Sequence, residues 1–298
     1  MAIASNSMSG PIGIIVAAVA ALASMSVVSY SRFNKAMTES LAITTSVSEE
    51  MRKQLEETAR SVSKTTTFSA TEAAQGYYAL FSAGMNAQQA MNSIGVVAKF
   101  AQAGMMGMDE ASRYLVTAKQ SLGLASDDAS ESQSNLTRVA DVLVAVNNLA
   151  IGNVKNFADA LVNGPAAAAR VTGKSIEEVT AVIAAYAMAG QHGATAGTQL
   201  SIVMRDLETK ARKNPQAFKD AGVAVYDASG EMRHLGLIMK DLEDKFGGLS
   251  DSERATGLAT LGFTDRSRKA MIQLFGFSQM ILDTDLALQD AAGTMESV

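Results

Sequence analysis

Cysteine is absent from all 298 residues, which excludes a disulfide framework, thiolate metal ligation and a cysteine nucleophile. Tryptophan is absent as well, proline numbers 3 and aromatics make up 5%, a composition that favours long helices packed through small side chains. There is no basic block: 25 Lys and Arg against 30 Asp and Glu leave a net charge of -5 spread along the chain. The electrostatic footprint of a sequence-specific nucleic-acid binder is therefore missing. Only His192 and His234 are available, and neither stands in a two-histidine metal motif. No carboxylate pair is set apart as general acid and base, since Asp127 and Asp128 fall at a helix start, where acidic residues suit the helix dipole. No enzyme, cofactor or metal site is expected.

What is present is 48% hydrophobic content, enough for a sizeable core in one large or two modest domains. The expected fold class is all-α: a multi-helix array of antiparallel helix pairs with one small β-hairpin, preceded by an apolar N-terminal helix. Four regions are expected. Residues 1–31 form an apolar N-terminal segment, 32–64 a charged amphipathic connecting helix, 65–246 a helical core with the hairpin near 223–233, and 247–298 a C-terminal helical segment that continues in a longer product.

The run from Ile12 to Val28 carries no charge over about seventeen residues, at the lower edge of what spans a bilayer. Ile12, Ile15, Val16, Val19, Leu22 and Val27 mark it as a candidate membrane-inserting helix. Arg32 and Lys35 follow the run rather than precede it, which argues against a cleaved export signal. A buried helix in an oligomer core is the competing reading, and the small residues Gly13, Ala17 and Ala21 suit either one.

From Thr65 onward one device recurs: a capped start, an apolar stripe and a glycine stop. Ser69 with Glu72 forms an S-x-x-E capping box, and Asn86 with Gln89, Ser175 with Glu178 and Ser250 with Glu253 repeat the spacing. The Gly-Lys-Ser of Gly173 to Ser175 is not a phosphate-binding loop, because the required glycine is replaced by Ala168 and no strand precedes it. Leu136, Val139, Ala140, Leu143 and Val146 predict a buried central helix. Val223, Val225 and Tyr226, then Asp227 to Gly230, then Glu231 and Met232 predict the hairpin.

Gly190 to Leu200, GQHGATAGTQL, is the least ordinary turn. Gly190 can close one helix in the left-handed conformation, and Thr195 or Thr198 can cap the next. Gly193 and Gly197 allow the junction to lie against a neighbouring backbone. Gly190, Gly193, Ala196, Gly197 and Thr198 are thus read as a structural corner between helices.

Three blocks in one order, FSATEAAQGYYALFSAGM, then FADALVNGPAAAARVTGKSIEEVTAVIAAYAMAGQHGATAGTQL, then DAGVAVYDASGEMRHL, resemble the core region of phage tail tape measure proteins. The likeness is carried by Thr66, Phe68, Ser69, Ala70, Glu72, Ala73, Ala83 and Gly84. It continues through Gly164, Pro165, Ala167, Gly173, Ser175, Glu177, Glu178, Gly190, Gly193, Ala196, Gly197 and Thr198, and ends with Gly222, Val223, Asp227 and Gly230. Two departures stand out: Gln191 and His192 replace a common Ile-Lys, and Ser201 stands where arginine is common.

The resemblance implies a non-enzymatic virion component that sets tail length from within the tail tube lumen. It implies contacts with tail tube protein, tail assembly chaperones, tail tip proteins and its own copies as a homo-oligomer. It also implies residence in the host cytoplasm during assembly, and contact of the apolar segment with the host membrane during DNA ejection. The rival reading is a membrane-anchored helical interaction protein or pore-forming protein of a bacterium. Even wholly helical, the chain would span only about 450 Å at 1.5 Å per residue, which makes it a poor ruler by itself.

Overall fold

The computed structural model describes residues 28–44 and 47–297. Helices dominate, in the order α1 (28–41), α2 (Glu49–Thr65), α3 (Ala70–Ser82), α4 (Ala87–Ala103), α5 (Met108–Ser121), α6 (Ala129–Ala145), α7 (Val154–Val162) and α8 (Pro165–Thr172). There follow α9 (Ile176–Met188), α10 (Gly193–Lys213), α11 (Pro215–Ala221), α12 (Leu235–Phe246), α13 (Asp251–Thr260), α14 (Asp265–Ile272) and α15 (Ser278–Gln289). Short 3-10 turns close α6 at Val146–Asn148 and the described chain at Thr294–Ser297.

Local chemistry accounts for many of the starts. Ser69 and Glu72 form a reciprocal capping box: the Glu72 amide donates to Ser69 Oγ at 3.2 Å and the Ser69 amide donates to Glu72 Oε2 at 2.8 Å. Asn86 with Gln89 and Ser250 with Glu253 do the same for α4 and α13. Pro165 and Pro215 each occupy the first turn of a helix, where the missing N–H has no partner to lose.

One hydrophobic cluster runs from Phe33 in α1 to Met295 beyond α15. At its centre lies α9, whose residues from Ile176 to Ala187 are all buried. After its first turn this helix carries no charge, and a helix apolar on every side has to be enclosed. Around it pack α15, α7, α10, α6 and α8. The C-terminal half of α6 is also buried, from Val139 to Ala145. Two buried tyrosines place their hydroxyls on backbone carbonyls, Tyr77 on Leu55 O at 3.1 Å and Tyr186 on Ala270 O at 3.0 Å. Burial pushes both phenols well above their ordinary range.

Three features of the expected fold are corrected. First, the β-hairpin near 223–233 does not form: among the described residues there is no strand, only an isolated antiparallel bridge between Tyr226 and Met232. The arms cross-bond only around that bridge, where the Arg233 amide donates to Val225 O and the Asp227 amide to Glu231 O, each at 2.9 Å, and they have no room to extend further. Gly222 ends α11 and His234 begins α12. Lys174 Nζ occupies the carbonyls of Met232 and Arg233, at 2.6 and 2.7 Å, while the Ala224 amide donates to Asp241 Oδ2.

Second, an apolar N-terminal helix is not evident. Residues 12–27 lie outside the described part, and no helix among the described residues is long and apolar enough to cross a membrane, so a transmembrane helix is not supported.

Third, the array is not built only of antiparallel pairs. Asp159 meets Ala194, Ala160 meets Gly197 and Gly164 meets Ser201, so α7 and α10 run parallel. Helices that are not neighbours in sequence have no short loop forcing them antiparallel.

Candidate functional site

The corner from Gly190 to Leu200 brings the start of α10 against α7. Gly190 has φ +81° and follows the end of α9, with the Gln191 amide closing onto Tyr186 O at 2.8 Å. The next helix begins earlier than the threonines suggested. Its N-cap is His192, which makes no side-chain cap bond, and Gly193 is its first residue, with φ +56°. Thr195 and Thr198 lie inside α10 rather than capping it. The cap comes from another element: Asp159 Oδ2 in α7 accepts from the Ala194 amide at 2.7 Å.

One turn on, Gly197 is buried against the α7 backbone. A Cβ there would be driven into the Ala160 carbonyl, 2.9 Å from its carbon. Ala196 is fully buried beside it, and Ser201 Oγ donates to Gly197 O at 2.8 Å. With these small residues, the two helix backbones come into direct contact.

The junction of α8 and α9 holds the second cluster. Gly173, at φ +68°, ends α8 in the left-handed conformation. Ser175 Oγ accepts from the Glu178 amide at 3.1 Å, which caps α9. The expected return bond is not made, because Glu178 turns inward. Its Oε1 accepts from the Leu235 amide at 2.6 Å and lies 3.4 Å from Lys174 Nζ, and both side chains are almost fully buried. Lys174 in turn donates to the carbonyls of Met232 and Arg233. The lysine of the false phosphate-loop motif thus fastens the 223–233 loop onto the central helix.

Beside it, Glu177 accepts two bonds from Arg138, Nε to Oε1 and Nη2 to Oε2, each 2.8 Å. This pairing holds the guanidinium above its ordinary pKa. Asp141, also on α6, is buried and accepts from the amides of Gly293 and Met295 at 2.9 and 2.8 Å, which ties the last turn to α6.

Sequence reasoning passed over Lys174, Arg138, Asp141 and Asp159. The last three act on residues tens of positions away, so no local spacing announces them, whereas the i,i+4 spacing of Lys174 and Glu178 is a local signal for their ion pair. Of the two histidines, His192 is exposed at the corner, while His234 Nδ1 accepts from the Gly236 amide at 3.0 Å and its Nε2 lies 3.2 Å from Asp285 Oδ2. Both of its ring nitrogens are engaged in fixing the start of α12. The membrane-segment residues Ile12, Ile15, Val16, Val19, Leu22 and Val27 lie outside the described part.

These clusters share a chemistry: carboxylates, a lysine and glycines that fasten helices to one another. Such an arrangement defines a helical scaffold whose buried polar groups serve packing. The chain belongs to the phage-related minor tail protein family, whose profile matches residues 56–262. It is 28% identical over 239 residues to the tape measure protein of Pneumococcus phage Dp-1, an alignment covering 78% of this chain and 20% of that protein. It is 26% identical over 231 residues to the "Probable tape measure protein" of Escherichia phage P2, covering 77% of this chain and 27% of that one. The chain thus spans roughly a quarter or less of the length of these curated relatives. No solved structure matches it. It is a tape measure region.

Proposed function

We propose that this chain acts as a folded block within a tape measure protein, organising tail assembly while longer helical stretches set the length. The observation that carries this reading is the single buried cluster from Phe33 to Met295, which spans the whole family-matched region. A chain of this size packed around one core measures about 50 Å across. Stretched as one helix it would reach about 450 Å. Length measurement therefore falls to other parts of the full tape measure, and this block supplies surfaces.

Tail tube protein, assembly chaperones, tail tip proteins and further copies of the chain are the partners that fit such a role. The host cytoplasm during assembly and the tube lumen in the virion are its proposed locations. In-frame removal of residues 56–262 from the phage gene tests the reading. Loss of tails, or tails of scattered length in electron micrographs, is the expected result, and normal tails of normal length would overturn it.

Residues 12–28 keep a separate proposal, contact with the host membrane during DNA ejection. Liposome flotation compares the wild-type chain with Val16→Lys. Weaker flotation of the variant is expected, and equal flotation of both would rule the contact out.

A further inference from the structure

Six helices among the described residues stop on a glycine at positive φ, at Gly84, Gly123, Gly173, Gly190, Gly222 and Gly262, and in each the next amide donates to the carbonyl five positions back. Helix α4 stops in the same way, its Met106 amide donating to Ala101 O at 3.0 Å, but the left-handed residue is Met105, at φ +49°. It is the one non-glycine among the described residues with positive φ. That conformation is unfavourable for a residue with a side chain, and nothing in the described fold offsets it, because Met105 is 89% exposed.

The topology brings further exposed apolar side chains to the same end of the helical block. Gln89 at the start of α4 donates to the carbonyls of Ser126 and Asp127 just before α6, and the two helices pack together, so they run parallel and both finish at the Met105 end. Leu149 and Ile151 follow α6 there, both exposed. The 2.8 Å ion pair of Glu110 with Lys155 holds the start of α5, just after Met105, against the start of α7, just after Ile151. The Thr67 amide donates to Gln102 Oε1 at 3.1 Å, which places the α2–α3 connection on this end as well. Helix α1 begins beside it, where Ser29, the exposed Tyr30 and Arg32 share a groove with Ser69, Ala70 and Thr71. Val28 therefore stands at this end, and the uncharged run of residues 12–27, outside the described part, is joined to it directly.

We propose that residues 12–27 dock across this end of their own chain, covering Tyr30, Met105, Leu149 and Ile151. Where the run is attached commits the site to it: a tether of no added length gives it a local concentration on the order of millimolar before any contact forms. Reach is sufficient. Helix α1 packs on α3, α3 on α5 and α5 on α7, three spacings of about 10 Å each, and sixteen residues extend to about 50 Å. Run and end are both apolar where they face water, and joining them removes both surfaces from it. The docking stands apart from the membrane contact proposed for the same run, and its test contains no lipid.

Because the chain has no cysteine, Ser9→Cys gives a single site for a nitroxide label just beyond the far end of the run. The full chain carrying it is followed by methyl NMR. The signals of Met105 and Ile151 are expected to broaden strongly, while Met85, at the opposite end of the block, stays sharp. Val16→Lys with Val19→Lys keeps the tether but makes the run polar, and is expected to reduce the broadening severalfold. Met105→Gly keeps the left-handed stop without the side chain, and is expected to weaken the broadening of Ile151 while leaving the melting temperature no lower.

Absence of broadening at Met105 and Ile151, or equal broadening with and without the two lysines, would overturn the proposal. So would an unchanged Ile151 signal in Met105→Gly. Broadening of an unlabelled chain mixed with a nitroxide-labelled one would overturn it too, because the occupant would then come from a second copy.

Discussion

Gly197 is the residue on which the α7–α10 contact turns. Because an added Cβ would run into the Ala160 carbonyl, and backbone cannot swing aside as a side chain can, Gly197→Val is expected to destabilise the fold by about 3 kcal/mol. Gly190 provides the comparison. Its φ is positive, unlike that of the helical Gly197, but a Cβ there meets nothing within 4 Å, so Gly190→Ala is expected to lose only about 1 kcal/mol from the strained conformation. Urea unfolding of the two variants measures the difference, and equal losses would show that strain rather than close approach governs the corner.

The turn at Asp227 responds to pH. Ser229 Oγ donates to its carboxylate, with the Ser229 and Glu231 amides adding to it, and this holds the pKa below the ordinary 3.8. With the folded value depressed, the turn's contribution is present above the unfolded pKa and is lost as pH falls through the folded one. The amide resonances of Ser229 and Glu231 should therefore shift with a midpoint below 3.8. A midpoint at or above that value would contradict the hydrogen bonding.

Among the helices, what was legible in the sequence was whatever is local. Ser69, Asn86 and Ser250 cap as their spacing suggests because donor and acceptor lie three residues apart on one chain segment. Glu178 has the same spacing and behaves differently, since its partner Leu235 lies 57 positions away and no window around Ser175 contains it. The same limit explains the start of α10, which is capped by Asp159 from α7 instead of by its own threonines. It also explains the missing hairpin, whose apolar pattern is real: Val223, Val225 and Met232 are all buried. Their burial is against helices, and the arms between Gly222 and His234 are too short to pair beyond the one bridge.

The Lys174–Glu178 pair tests this view of the elements. Removing the ammonium leaves a buried carboxylate, so Lys174→Met is expected to destabilise by about 3 kcal/mol and to open the 223–233 loop to protease. Adding Glu178→Gln should recover about 1 kcal/mol, because the amide oxygen still accepts from Leu235 without a buried charge. Additive losses in the double variant would mean that the two side chains act separately.

For the whole molecule, the family assignment was legible because it rests on an order of small and capping residues, each serving backbone geometry. Gly164, Gly173, Gly190, Gly193 and Gly222 all have positive φ, and Gly197 has no space for a side chain. What composition could not reveal is that these turns close the chain into one block around α9, with α7 and α10 parallel, instead of leaving an extended string of helix pairs. The central claim is that this region works folded. Duplicating residues 56–262 in tandem within the phage gene, and measuring tails by electron microscopy, tests it most directly. A folded second block would lengthen the tail by at most its own width, about 45 Å. A uniform gain of about 310 Å, the length of those residues as a continuous helix, would contradict the account and make this region part of the ruler itself.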